Sequence, residues 1–241
     1  MPKPWGVWAT LGFSCIIAAA YFAIIAVATI ALIIVHVQGH RFEPNVLAEK
    51  LQTDGFFISI ITCVTAPVVV GLCVLFAAIR RGISISEYLG LRMVKWRRIL
   101  LWSSVTMALA ALSDILTIQL GRPVTPDFIV SMYSTARFVP LLWLAIIIAA
   151  PVYEEVFFRG FLLKGLQFSR LGTAGAVVIT SLAWAAIHTQ YDMYGILHIF
   201  LFGLFLGWAR TKTGSIVLTI IMHSIGNLIA TVQVAVYLGS S

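Results

Sequence analysis

Long apolar runs, separated by short polar segments, organise this chain. A helix crossing a bilayer needs about 20 consecutive apolar residues. Runs of that kind predict spans near residues 7–36, 56–79, 99–120, 138–158, 173–189, 193–209 and 215–238. The expected fold class is all-α, a polytopic membrane helical bundle of about seven to eight transmembrane helices. No internal repeat or low-complexity linker divides the chain, and its loops are too short for a soluble domain. Residues 1–241 therefore read as a single membrane domain, with N-terminal helices over 1–137 and a core richer in polar motifs over 138–231.

Composition agrees with this pattern. The chain is 61% hydrophobic and 10% charged, with mean hydropathy +1.01, whereas a soluble domain is about half apolar and a quarter charged. The first apolar run, from about residue 6 to 36, exceeds the roughly 7–15 residues of a signal-peptide core, so it is expected to stay as a span. Cys15, Cys63 and Cys73 all fall inside predicted spans, which argues against a disulfide framework or a CxxC metal site.

The net charge of +7 could serve nucleic acid, but its placement points to lipid. Basic residues gather in short loops beside apolar runs, as the positive-inside rule predicts. With a cytoplasmic N-terminus, inside segments hold Lys3, Arg80, Arg81, Arg92, Lys95, Arg97, Arg98, Arg159, Lys164, Arg170, Arg210 and Lys212. Outside segments hold Arg41, Lys50, Arg122 and Arg137, a ratio of 12 to 4. The expected location is the plasma (inner) membrane, multi-pass, with the N-terminus cytoplasmic and the C-terminus outside. The expected partners are membrane lipid and a peptide or membrane-protein substrate, and not nucleic acid. The loop 80–98 is the most basic segment, and its interspersed Ile, Leu, Tyr and Trp suggest an amphipathic stretch on an anionic leaflet. Gly203 and Gly207 stand four apart, a spacing that lets a neighbouring helix of the same chain approach closely.

Three polar clusters interrupt the apolar pattern of the C-terminal half: Glu154, Glu155 and Arg159; His188; and His223 with Asn227. An ionisable residue inside a membrane is a functional candidate by default. At about 100° per residue, Glu155 and Arg159 share a helix face, while Glu154 lies about 140° from Arg159. The spacing assigns Glu155 and Arg159 to a structural ion pair and leaves Glu154 free to face a cavity. His223 and Asn227, four apart, project from one face. Taken together, Glu154, His188, His223 and Asn227 make a kit for amide hydrolysis: a base, a histidine to orient water, and donors for an oxyanion. Glu154, His188 and His223 also form a plausible Zn²⁺ set with an open position. Residue types leave both chemistries open.

The segments EEVFFR, Trp184 to His188 and HSIGN resemble, in order, the EExxxR, FxxxH and HxxxN signatures of the CAAX prenyl endopeptidase and bacteriocin-processing family of intramembrane proteases (CPBP, or Abi). The resemblance covers roughly residues 138–231. It implies that Glu154 activates water with help from His188, that His223 and Asn227 stabilise the oxyanion, and that Glu155 and Arg159 support the site. Trp184 departs from the family's phenylalanine, and its indole N–H needs a partner. No cofactor is favoured, because Asn227 suits an oxyanion better than zinc. If a metal is present, Glu154, His188 and His223 would hold it.

Smaller expectations concern other residues. His198 reads as structural. Gln190 or Asp192 could orient the second ring nitrogen of His188, and Asp114 should pair within the bundle. The drawn spans set Glu154 near the inner end of its helix and His188 near the outer end of the next. A fourth helix continuing to about Lys164 would bring Glu154 deeper. Two other classes compete with the protease: a catalytically silent membrane scaffold or immunity factor, and an ion-coupled transporter, which the lack of an internal repeat disfavours.

Overall fold

The computed structural model describes residues 3–37 and 51–240 of the chain. Its helices are α1 (Val7–Val37), α2 (Gly55–Ala78), α3 (Ile85–Leu89), α4 (Trp96–Gln119), α5 (Asp127–Ser134), α6 (Val139–Leu166), α7 (Gly172–Ala186), α8 (Met193–Thr213) and α9 (Ile216–Ser240). No strand occurs among the described residues. Arg41 and Lys50, counted above on the outer side, lie outside them.

Among the described residues six helices are long and apolar enough to cross a membrane, namely α1, α2, α4, α6, α8 and α9, so the chain is a multi-pass membrane protein. The seven to eight spans expected include α7, which falls short of the length of the other six. This apolar helix has 15 residues, about 22 Å at 1.5 Å per residue, against a hydrocarbon core of about 30 Å. It stops before the polar turn His188–Asp192, where the Asp192 carboxylate accepts from Gly195 N at 2.9 Å and caps α8.

α6 is the pivot of the bundle. It runs to Leu166 rather than ending near 158, which sets Glu154 well inside the helix. Val156 and Phe161 pack into an apolar cluster with Ile17, Val69, Phe76 and Tyr88. Phe158, Leu162 and Leu166 pack into a second cluster with Trp184, Leu206 and Met222. Lined on both sides, α6 has 44% of its most apolar window buried, against 6% for α1 and α4, which face outward.

Two stretches of α6, Leu144–Ala149 and Glu155–Leu162, are π-helical, with i→i+5 hydrogen bonds. In the first, Ala150 N donates to Ala145 O. The next bond of that register would run from residue 151 to Ile146, but Pro151 has no N–H. Asn227 supplies the missing donor: its Nδ2 donates to Ile146 O at 2.8 Å. A carbonyl orphaned by proline thus ties α9 to α6.

The basic loop 80–98 does not simply lie on the membrane surface. Tyr88 and Leu89 are fully buried, and Tyr88 stacks on Phe161 with ring centroids 5.7 Å apart. The loop's later apolar residues, Met93 and Trp96, are exposed instead. Its aromatic and aliphatic residues split between the core and the outside because α3 tucks under α6.

The small residues of α8 are used within the chain. A Cβ on Gly207 would fall 2.7 Å from Val177 Cγ1, and one on Gly203 would fall 3.0 Å from Ser181 Cβ and 3.1 Å from Trp184 Cε3. Asp114 accepts from Gln233 Nε2 at 2.6 Å, joining α4 to α9 as expected.

Overpacking a tight contact costs about 1–3 kcal/mol. Gly207→Leu should lower the unfolding free energy in a fixed detergent by that amount, whereas Gly71→Leu should not, since a Cβ there meets nothing within 4 Å. Asn227→Ala leaves a buried carbonyl unpaired and should cost about 1–3 kcal/mol. In a Pro151→Ala background a backbone N–H can replace the amide, so the Asn227→Ala loss should shrink. Equal losses in both backgrounds would show that Ile146 does not couple the two positions.

Candidate active site

The site grows from the second π-helical stretch of α6, where three charged residues lie side by side and buried. Glu155 and Arg159 are fully buried and Glu154 is 7% exposed. Arg159 Nη1 donates to Glu155 Oε1 at 2.9 Å. The helix here is not α, yet the pairing expected from α geometry forms. Arg159 Nη2 also reaches Gly203 O at 3.4 Å, and its guanidinium lies 4.4 Å over the Trp184 ring. The missing side chain at Gly203 permits this approach, because a Cβ would fall 3.2 Å from Arg159 Nη2.

Glu155 is shared. Its Oε1 lies 3.2 Å from His223 Nδ1, so α9 docks on the same carboxylate that pairs with Arg159. A carboxylate only accepts, which assigns the Nδ1 proton to His223. The opposite nitrogen, Nε2, lies 3.9 Å from Glu154 Oε2. That separation exceeds a direct hydrogen bond and suits one bridging water.

Glu154 takes no part in the Arg159 bridge. Its Oε2 accepts from Trp184 Nε1 at 2.6 Å. The indole that needed a partner finds it in this carboxylate, which phenylalanine could not supply. Trp184 is the hub of the site. The rings of His223 and His188 pack edge-on against it at 5.2 and 5.3 Å between centroids.

His188 is half-buried at the end of α7. Its Nδ1 is 2.7 Å from Trp184 O, which assigns it the Nδ1 proton and leaves Nε2 as an acceptor. Asp192 does not orient this ring: it caps α8 and pairs with Arg122. His198 Nδ1 lies 3.0 Å from Tyr194 O, the structural role expected. Among the four proposed catalytic residues, Glu154 and His223 face each other, His188 joins them through Trp184, and Asn227 is bonded to Ile146.

Tyr191 was passed over in the sequence, where it looked like part of a turn. Its ring centroid is 6.2 Å from that of His188 and 4.6 Å from that of Phe128. Burial pushes its phenol up to about 12, and the Glu154 charge adds to the rise. It therefore stays a neutral O–H donor at ordinary pH, within the electrostatic reach of Glu154.

A zinc ion held as the sequence allowed would need Glu154, His188 and His223 to converge. Among the described residues no three such side chains do so. The bonds to Trp184 engage one oxygen of Glu154 and one nitrogen of His188 and leave each a second ligand atom, so the lack of convergence alone decides the fit. The present arrangement therefore does not fit a three-ligand site, and the chemistry on hand is that of a carboxylate, two imidazoles and neutral donors.

Comparison with known proteins places this cluster. Residues 136–229 match the family described as Type II CAAX prenyl endopeptidase Rce1-like. An Escherichia coli protein named only as an uncharacterized 24.3 kDa protein is 35% identical over 85 residues. That match spans 34% of this chain and 39% of the relative's length. No solved structure matches significantly. The matched stretch runs from just before α6 into the His223 helix and contains the buried Glu154, Glu155 and His223 cluster, so the similarity to the Rce1-like CAAX prenyl endopeptidases falls on this site.

Proposed function

We propose that this protein is an intramembrane endopeptidase that hydrolyses a peptide bond of a peptide or membrane-associated protein, with Glu154 as the general base. The observation that carries the reading is the position of Glu154. It is a buried carboxylate that the neighbouring arginine does not neutralise, facing an imidazole nitrogen across 3.9 Å.

A water in that gap gives its proton to Glu154 while the His188 Nε2 lone pair orients it. The new O–C bond forms at the substrate carbonyl carbon, and charge gathers on the carbonyl oxygen. His223 in its doubly protonated form donates from Nε2, and Asn227 has a second amide N–H beyond the one given to Ile146. Glu154 then passes the proton to the leaving amine as the C–N bond breaks. Glu155 and Arg159 hold His223 and the π-helical segment in place. The family match over residues 136–229 supports the protease class, and this chain's own donors and acceptors support the steps.

The path of the helices supports seven crossings. α6 ends near Lys164 and α8 ends near Arg210, and Arg210 Nε donates back to Arg159 O at 3.1 Å. Both helices therefore finish on one face, and α7 must carry the chain across between them despite its length. With that basic face cytoplasmic, the N-terminus lies inside and the C-terminus outside, and cleavage falls in the inner half of the plasma membrane.

A silent scaffold or immunity factor is the second reading. It is favoured by the engaged state of two donors, since the Trp184 indole is spent on Glu154 and one Asn227 N–H on Ile146. Purified protein reconstituted with a membrane-anchored peptide separates the two. Wild type should cleave it, Glu154→Gln should lower kcat by about 10²–10⁴-fold, and His223→Ala by about 10²–10³-fold. Full turnover by Glu154→Gln would end the proposed mechanism, and complementation of a deletion phenotype by all inactive variants would establish the scaffold.

A further inference from the structure

On the basic face, beneath the site, α3, α6 and α8 enclose a cleft of about 370 Å³. Its lining includes three cations, Arg92, Lys164 and Arg210, and one carboxylate, Glu87. Arg210 is 7% exposed, and its fork is held by backbone rather than by acid: Nε donates to Arg159 O at 3.1 Å and Nη2 to Leu89 O at 3.4 Å. Arg92 Nε donates to Thr213 O at 3.1 Å. Among the described residues none of the three cations joins a salt bridge. Burying a charge without a counter-charge is costly, and against buried Arg210, half-buried Lys164 and exposed Arg92 the cleft sets only Glu87, which leaves its balance positive.

The backbone is shaped around these guanidinium groups. Gly90 and Gly214 close α3 and α8 in the left-handed region, at φ +77° and +68°. A Cβ on Gly90 would fall 2.6 Å from Arg210 Cζ, and a Cβ on Gly214 would fall 2.6 Å from Arg92 Cζ. Both arginines are thus seated against glycines that admit no side chain. Topology alone accounts for exposed cations such as Arg81, Arg97 and Arg98. It does not account for a nearly buried arginine in a glycine cradle.

We propose that this cleft binds a phosphate group, supplied by an anionic phospholipid headgroup or by free phosphate. The backbone bonds use Nε and Nη2 of each arginine, which leaves the Nη1 donors for phosphate oxygens, and lysine adds a point charge. The cleft lies where two membrane helices, α6 and α8, meet the basic loop that carries α3, the level at which headgroups sit. The site is separate from Glu154 and His223, so its occupancy can be tested whether or not the protein is a protease.

The test begins with the full chain in nanodiscs of equal phosphatidylglycerol and phosphatidylcholine, followed by extraction into mild detergent and native mass spectrometry. Wild type should retain phosphatidylglycerol in preference to phosphatidylcholine. Lys164→Gln and Arg92→Gln should each lower that retention about fivefold, the effect of roughly one charge contact. Lys164→Arg should restore it, and Glu87→Gln should raise it by removing the competing anion. A second arm compares thermal midpoints in inorganic phosphate and in chloride at equal ionic strength. A phosphate-dependent rise that Lys164→Gln abolishes, without lipid retention, supports the site and names free phosphate as its source. Wild-type and Lys164→Gln or Arg92→Gln proteins that behave alike with both probes would overturn the proposal.

Discussion

The fully buried pair of Glu155 and Arg159 is the constraint around which the C-terminal half is arranged. Two charges removed from water are stable only if the surroundings supply further partners. Here they come from three directions: the His223 ring on α9, the Gly203 carbonyl on α8 and the face of Trp184 on α7. Satisfying one ion pair thus draws three helices onto α6. The pair is incomplete even so, since Glu155 Oε2 and Arg159 Nε have no hydrogen-bond partner among the described residues. A well-packed apolar pair could be equally stable, so the charges are better understood as fixing which groups meet than as strengthening the bundle.

What they fix is the setting of Glu154. With Arg159 committed to Glu155, the adjacent carboxylate is held by the Trp184 indole and faces an imidazole beyond direct reach. That inequality between neighbouring glutamates is the chemical content of the site. Trp184 serves both sides of it, covering the guanidinium with its ring while its N–H holds Glu154. The same segment extends toward the basic face through the Arg159 carbonyl and Arg210, so the ion pair and the cleft below it share one stretch of backbone.

Much of this was legible in the sequence. Apart from the C-terminal end of α6, apolar runs placed the long helices within a few residues, the four-residue spacing paired Glu155 with Arg159, and the glycines of α8 were read as a close helix contact. Three features were not legible. The π-helical turns of α6 leave no mark in a periodicity that assumes α geometry, although Pro151 was a clue, since a proline inside a helix must orphan a carbonyl. The short α7 was drawn too long because hydropathy does not register where a polar turn begins. The loop 80–98 looked like a membrane-surface stretch because Tyr88 and Leu89 are as apolar buried as lipid-facing. Trp184 and Tyr191 gained their place only when the fold brought distant segments together.

Parallel unfolding of Glu154→Gln and Glu155→Gln in one bilayer composition tests most directly whether the two carboxylates have different tasks. Removing the Glu155 charge strands a buried guanidinium and should cost about 3–5 kcal/mol. Glu154→Gln keeps an oxygen for the Trp184 indole and should cost no more than about 1 kcal/mol. Equal losses, or a larger loss at Glu154, would contradict the division between a structural and a reactive glutamate.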